Sequence, residues 1–461
     1  MDLNAILKKF SEFEYVEVRE HKISSTHFFV INGSPAGLAS VSHSGYSVRA
    51  FKDSVMYFTS SSDVKDLSPL SFSLKEWEKG YSLDQRTSGE YSVNEKEKIK
   101  DVPLEEKQKI FVNIANSLKN IKVNSKIVSV IFSYSESVED KNILFEDGTT
   151  VHGLVPRIHV SASVSMVSDK ASATFYEEFG GSGGFELIKI WDIENALAEK
   201  IRNVDEVLTK GKGVTPGRKD VIFSNMLSGI MAHESVGHPF EADRVLGRES
   251  AQAGLSYLVN RNFGEKIGSD IVNVIDDPTL PNSSGFYLID DEGIKARAKF
   301  LIKDGKINEL LQDRFSAYKF GVNSNGSARA SRFDREPLVR MSNTFFMPSN
   351  FTFDELLEDV KDGIYLKSYM EWNIDDLRIG QRYIGLEAYE VRNGEIKEPL
   401  LFPVIEGTTF EFLSSIDAID NTLKFYYGTC GKGDPDQGIP VWMGGPNMRL
   451  RNISVKVRGY E

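Results

Sequence analysis

Cysteine is nearly missing from this chain: Cys430 is the only one among 461 residues. Internal disulfides are therefore excluded, and the usage fits a reducing compartment, the cytoplasm. Also missing is any apolar run close to the ~20 residues a helix needs to cross a bilayer, so no membrane partner is expected. Positive charge is not in excess, with 55 Lys and Arg against 67 Asp and Glu for a net charge of −12. With no basic stripe either, a nucleic-acid footprint is not expected. The N-terminal stretch Met1–Glu14 reads as an amphipathic helix with acids in it, not as a leader peptide. No repeat of solenoid period occurs. What remains is a soluble globular composition, 40% hydrophobic and 26% charged, with length for two or three domains.

Hydrophobic patterning predicts an α+β fold in three parts. An N-terminal α+β domain is expected over 1–110, with a helix over Leu3–Phe13, strands over Tyr15–Glu20 and His27–Ile31, and a turn at Asn32-Gly33. A further strand pair brackets Lys52-Asp53, and the charged stretch from Asp84 to Lys109 reads as a solvated helix or linker. A central β-hairpin segment follows over 111–215. It has runs at Ile127–Tyr134, Asn142–Phe145 and His159–Met166, a turn at Asp147-Gly148, and a helix over Glu194–Leu208. The glycine cluster Gly180–Gly184 lacks a P-loop lysine and reads as a flexible loop or a close backbone contact. The remainder, 216–461, is a β-rich domain carrying one helix with chemistry. Hairpins run over Ala296–Ile302 with a turn at Asp304-Gly305 and over Tyr383–Val391 with a turn at Asn393-Gly394, and Thr352–Lys361 is helical.

That chemistry lies in Asp220–Asp243, DVIFSNMLSGIMAHESVGHPFEAD. Val221–Phe223 reads as a buried strand. Ser224 or Asn225 caps a helix on which Met226, Leu227, Ile230 and Met231 fall at helical spacing. His233, Glu234 and His238 sit on that helix, a donor set that metallopeptidases use to hold zinc with a base beside it. In H-E-x-x-H, residues four apart are separated by about 40° around the axis. Here the histidines are five apart, roughly 140° on an ideal α-helix. They can share one ion only if the helix widens into a π-type bulge or ends before His238. Gly237 and Pro239 flank His238 as an ending helix requires. The competing reading is a helix with a salt-bridged surface.

A catalytic zinc takes three protein ligands and one open position. His21, His27, His43, His152 and His159 read as strand or surface histidines. Cys430 could be a small buried hydrophobe, but glycines on both sides and the polar Asp434–Gly438 after it describe a tight loop. A thiolate beside two imidazoles leaves an ion with net charge enough to acidify a bound water. Glu241 and Asp243 could orient the ligand imidazoles or form a structural ion pair. Arg329, Arg332 and Arg335 could meet substrate carboxylates, although exposed arginines without that role are the simpler reading.

HESVGHPFEAD resembles the signature of the TldD/PmbA family of metallopeptidases, H-E-[AS]-V-G-H-x-x-E-x-D. Further pieces fall in family order: Gly183–Glu186, Val274–Gly293, Gln312–Arg314, Arg340–Thr344 and Cys430–Lys432. One departure is Pro239-Phe240 in place of Gly-Leu, which stiffens the helix end and touches no ligand. The resemblance implies His233, His238 and Cys430 as ligands of one Zn²⁺ per chain, and Glu234 as the base for a metal-bound water. It further implies unfolded or short peptides as substrates, and a homodimer or a heterodimer with a homologous subunit. The alternative is a non-catalytic peptide-binding or assembly subunit, which would lack these donors. A closed structural zinc site would want a fourth ligand.

Overall fold

The computed structural model describes residues 3–67, 80–248, 254–433 and 435–459. Asp434, the first residue of the polar segment after the cysteine loop, lies outside them. The first helix is shorter than the pattern predicts: Leu3–Leu7 is α-helical, Lys8–Phe10 closes a 3₁₀ turn, and Phe13 is beyond it. Seven strands then build one antiparallel-rich sheet: β1 (Tyr15–Ile31), β2 (Ser34–Lys52), β3 (Val55–Ser61), β4 (Gly89–Ser92), β5 (Lys126–Phe145), β6 (Thr150–Val167) and β7 (Ser172–Ser182). Their order is β3-β2-β1-β5-β6-β4, with β7 also on β6, so strands on both sides of residue 110 share the sheet.

The strands are longer than their alternating segments. His21–Thr26, polar and silent as a pattern, continues β1 because it pairs with β2 on one side and β5 on the other. A central strand needs its ladder hydrogen bonds satisfied whatever its side chains are. For the same reason Ile127–Tyr134 and Asn142–Phe145 merge into β5, which pairs with β6 along nearly its whole length. Turns form at Asn32-Gly33, Asp53-Ser54 and Gly148 with positive φ. The helices Leu104–Lys119 and Ile193–Lys210 cover one face of the sheet, closing a core that includes Phe28, Phe111, Phe132, Val160, Leu197 and Val204. Lys107 in the charged stretch is buried and paired with Glu136 at 2.6 Å, so that helix is not wholly solvated. Gly180 and Gly181 continue β7 rather than looping, and the Tyr427 ring occupies the place of a Cβ on Gly180. Of the two readings of the glycine cluster, close contact holds there.

Beyond residue 216 two sheets sandwich the functional helix. One has six strands, ordered Lys306–Ile307, Lys299–Lys303, Val274–Asp276, Asn343–Phe346, Ile439–Gly445 and Lys424–Cys430. The other has nine and contains Gly217–Phe223, Asp362–Leu366, Tyr369–Ile374, Gly380–Gly385 and Met448–Val457. The expected strand Tyr383–Val391 is two strands, Gly380–Gly385 and Ala388–Arg392, because Leu386 leaves the ladder to bond Ser368. The expected helix Thr352–Lys361 is Phe353–Glu358, started by a Thr352–Glu355 capping box. Among the described residues, no helix is long and apolar enough to cross a membrane.

Candidate metal centre

The Gly217–Phe223 strand hands the chain to a helix at Ser224, whose hydroxyl accepts from Met226 N–H as an N-cap. Asn225–Met231 is α-helical and lies on the six-stranded sheet, where Gly229 lets its backbone approach the Met443-Gly444 backbone. At Ala232 the helix widens: Ala232–Gly237 is a π-helix, and His238 N–H donates to His233 O, five residues back. His238–Phe240 then closes as a 3₁₀ turn containing Pro239. Both routes that the five-residue spacing left open are therefore used. Bonding from i to i+5 adds about one residue per turn, so His238 comes round under His233. The two rings stand 4.8 Å apart at 81°. Gly237 makes the wide turn possible by packing against Met341, whose sulfur occupies the place of a Cβ. The extra carbonyl has a partner, since Tyr257 Oη donates to Ser235 O at 2.7 Å.

Cys430 reaches this turn from the end of the Lys424–Cys430 strand, 192 residues on, with Sγ 3.6 Å from His238 Nε2. One donor atom each from His233, His238 and Cys430 lie within 4.8 Å of one another, all three buried. Among the described residues no other group of His, Cys, Asp and Glu is arranged to hold a metal ion. The remaining histidines sit on β1, β2 and β6; His21 pairs with Glu139 at 2.9 Å and His159 stacks on Tyr427.

Charge around the cluster is arranged in layers. Glu241 Oε2 faces His238 Nδ1 at 3.2 Å and is itself held by Arg244 at 2.5 Å and Lys432 at 3.3 Å. Lys432 also donates to Asp243 at 2.7 Å and to Val339 O at 2.7 Å. Glu241 thus both orients an imidazole and sits in an ion pair, so the two readings of it are one arrangement. Burial opposes its carboxylate, but Lys432 and Arg244 hold it well below the usual range. Asp243 is pushed up by burial. Burial also opposes the Cys430 thiolate, yet His238 and Arg340 outweigh it and its pKa falls to about 7. Arg340 donates to Cys430 O and, at 2.8 Å, to Gln437 O, fixing the cysteine loop. Burial keeps His233 neutral, pushing its pKa down.

Glu234 follows His233 in the π turn and is buried, 9% exposed, with both histidines acting on its charge. Arg378 donates to its Oε2. Burial raises and the two histidines and Arg378 lower its pKa, with a net fall. Arg378 carries no sequence signal as a site residue, because no motif surrounds it; Arg340 opens one of the family-matching pieces and Arg244 follows the histidine motif directly, but neither was given a role from the sequence. The arginines singled out in the 329–335 loop behave differently. Arg329 is buried, donating to Met341 O at 2.9 Å, against the expectation of exposure. It is enclosed because its guanidinium also lies over the Tyr287 ring. Arg332 and Arg335 both pair with Asp334, at 3.0 and 2.9 Å.

Comparison with known proteins gives the family. The PmbA/TldA metallopeptidase domain 1 model matches residues 16–76, its central domain 97–204, and its C-terminal domain 216–457. The chain belongs to the PmbA/TldD metallopeptidase family. A Methanothermobacter thermautotrophicus protein named a metalloprotease is 32% identical over 77% of this chain and 75% of its own length. A Saccharolobus solfataricus protein named a zinc metalloprotease TldD homolog is 30% identical over 80% of this chain and 77% of its own. Two solved structures share the fold. TldE from Thermococcus kodakarensis has a TM-score of 0.74 at 14% identity, covering 98% of this chain and all of that one. A Thermotoga maritima protein described as a proposed modulator of a DNA gyrase has 0.76 at 17%, covering 98% of each. The donors brought together here fit zinc. Two imidazoles and a thiol poised to ionise are zinc ligand types, and buried His233 Nδ1 finds no hydrogen-bond partner among the described residues.

Proposed function

We propose that this chain is a zinc peptidase that hydrolyses peptide bonds in unfolded or short peptides, with Glu234 as the base. The observation that carries this reading is the π turn, which gathers two imidazoles and a distant thiol while leaving a carboxylate beside them. His233, His238 and Cys430 would hold one zinc ion, which when bound polarises a carbonyl and makes water more acidic. Glu234 accepts a proton from the attacking water as the water oxygen bonds to the scissile carbonyl carbon. The same carboxyl group then gives that proton to the leaving nitrogen as the C–N bond breaks. Glu241 keeps His238 Nδ1 engaged, so that Nε2 is the nitrogen turned towards Cys430. An exposed strand edge would pair with the substrate backbone, giving affinity with little side-chain preference. The family resemblance supports a cytoplasmic dimer, with a copy of this chain or a homologous subunit.

Glu234→Gln tests the reading. Zinc should stay near one ion per chain while cleavage of denatured casein falls by about 10²–10⁴-fold, and chelator should abolish the wild-type activity. Hydrolysis retained by Glu234→Gln would remove Glu234 from the role of base. A family relative acting only as a binding subunit would lack hydrolysis in both proteins.

A further inference from the structure

We propose that a cavity between the seven-stranded sheet and the C-terminal half binds a carboxylate carried on a small apolar body, with Arg329 as the cation that receives it. The cavity holds about 200 Å³. Residues of β1, β4, β5 and β6 wall it on one side, and residues of the segments 286–291, 329–331 and 438–440 on the other. None of His233, Glu234, His238 and Cys430 lines it, so it is a second site, apart from the metal centre. Drug-sized ligands fill about 300–1,000 Å³, and this smaller volume suits a single residue or a small acid.

The wall carries three cations, and they are not alike. Lys141 meets Asp291 at 2.8 Å, and Arg157 meets Glu139 at 2.5 Å. Arg329 has no carboxylate partner among the described residues. A guanidinium has five N–H donors. Those of Arg329 meet two carbonyl oxygens, Met341 O at 2.9 Å and Pro440 O at 3.4 Å, and its carbon lies over the Tyr287 ring. Asp290, the third acid of the wall, accepts instead from the backbone N–H groups of Ile294 and Ala328, at 2.8 and 3.0 Å. Arg329 is 8% exposed and lines the cavity. Burial pushes its pKa down, the direction for a cation without an anion. Leaving a buried charge unpaired is costly. A carboxylate set against the remaining N–H groups offsets that cost with charge-assisted hydrogen bonds.

The rest of the wall gives the ligand its shape. Tyr91 and Gly153 stand opposite each other on β4 and β6, and the Tyr91 ring occupies the place of a Cβ on Gly153. The same ring meets Phe286 edge-on, with centroids 6.3 Å apart. Together they offer an apolar surface beside a hydroxyl, since Tyr91 Oη has no hydrogen-bond partner among the described residues. The wall also reaches the strands of the metal centre. Ile439, which lines the cavity, is the ladder partner of Cys430, and paired strands lie about 4.8 Å apart. In a metallopeptidase the carboxylate at hand is the C-terminus of a peptide, whose last side chain would lie against Tyr91 and Phe286. A free acid of the same chemistry is the other source.

The test is calorimetric titration of the full-length, zinc-loaded protein with phenylpropionate, an acid without a peptide bond, and with its neutral amide. Wild type should bind the acid about 10–100-fold more tightly than the amide, the factor that hydrogen bonds to a charged group supply. Arg329→Gln should bring the acid down to the affinity of the amide, and Arg329→Lys should recover part of the loss. Tyr91→Phe, which keeps the ring, should weaken the acid by a few fold; an unchanged affinity would take the hydroxyl out of the site. Zinc per chain and the urea midpoint show whether Arg329→Gln keeps its fold, and the comparison of acid with amide on wild type needs no variant. Tighter binding of a tripeptide that is N-methylated against cleavage and ends in a free phenylalanine carboxylate assigns the site to peptide ends. Binding of the acid without the tripeptide assigns it to a free acid. Equal affinity for acid and amide, no binding at millimolar acid, or undiminished acid binding in Arg329→Gln would each overturn the proposal. None of these readouts depends on hydrolysis, so the role of Glu234 stands or falls separately.

Discussion

At the scale of single residues, the candidate centre depends on side chains that touch the donors rather than on the donors alone. His238 Nδ1 faces Glu241 at 3.2 Å, and Glu241 is held in turn by Arg244 and Lys432. Removing such an outer partner commonly costs about 10–100-fold in metal affinity. Glu241→Gln is therefore expected to lower zinc affinity by about that factor, measured by chelator competition; an unchanged affinity would reduce Glu241 to a structural ion pair. The three donors that the fold brings together were legible because two of them sit in one short motif and the third is the only cysteine. Arg378 was not legible, and the contacts of Arg340 and Arg244 were not either, although both lie in or beside quoted motifs. Arginine is common, and only the folded chain tells a guanidinium beside Glu234 or Cys430 O from one in solvent.

At the scale of elements, the five-residue spacing carried more than the residue types did. It required either a π widening or an early helix end, and the chain has a π turn at Ala232–Gly237 followed directly by a 3₁₀ turn at His238–Phe240. The wide turn is supported by Gly237 against Met341 and by Tyr257 on Ser235 O. Gly237→Ala should overpack this contact and destabilise the protein by about 1–3 kcal/mol, less the relief available from the flexible Met341 side chain. A urea melt with an unaltered midpoint would show the contact to be slack. Strand lengths were the least legible feature. Polar residues such as His21–Thr26 give no alternation, yet they lie between two partners and complete both ladders.

At the scale of the whole molecule, buried ion pairs join the seven-stranded sheet to the C-terminal half. Arg19 and Lys141 meet Asp291 at 3.1 and 2.8 Å, and Arg49 meets Glu292 at 2.6 Å. Burial opposes the Asp291 carboxylate, but Lys141 and Arg19 hold its pKa below the usual value. An acid depressed in the folded state contributes stability above its unfolded pKa and loses it as pH falls through the folded one. Asp291→Asn should thus cost about 3–5 kcal/mol near neutral pH, as expected for breaking a buried pair. The difference from wild type should shrink below about pH 4. Denaturant melts at the two pH values check this, and a deficit independent of pH would contradict it. The α+β class was legible from turn and alternation signals. The ion pairs were not, because their partners lie more than a hundred residues apart, the cations on strands of the seven-stranded sheet and the acids in a turn of the C-terminal half, and nothing in either segment announces the other.

The most direct measurement is zinc-edge X-ray absorption on the metal-loaded protein and on Cys430→Ser. We expect one sulfur at about 2.3 Å with nitrogen at about 2.0–2.1 Å, and loss of the sulfur shell in the variant with weakened binding. A wild-type shell without sulfur, or a spectrum untouched by Cys430→Ser, would contradict convergence of the cysteine strand and the histidine turn on one ion.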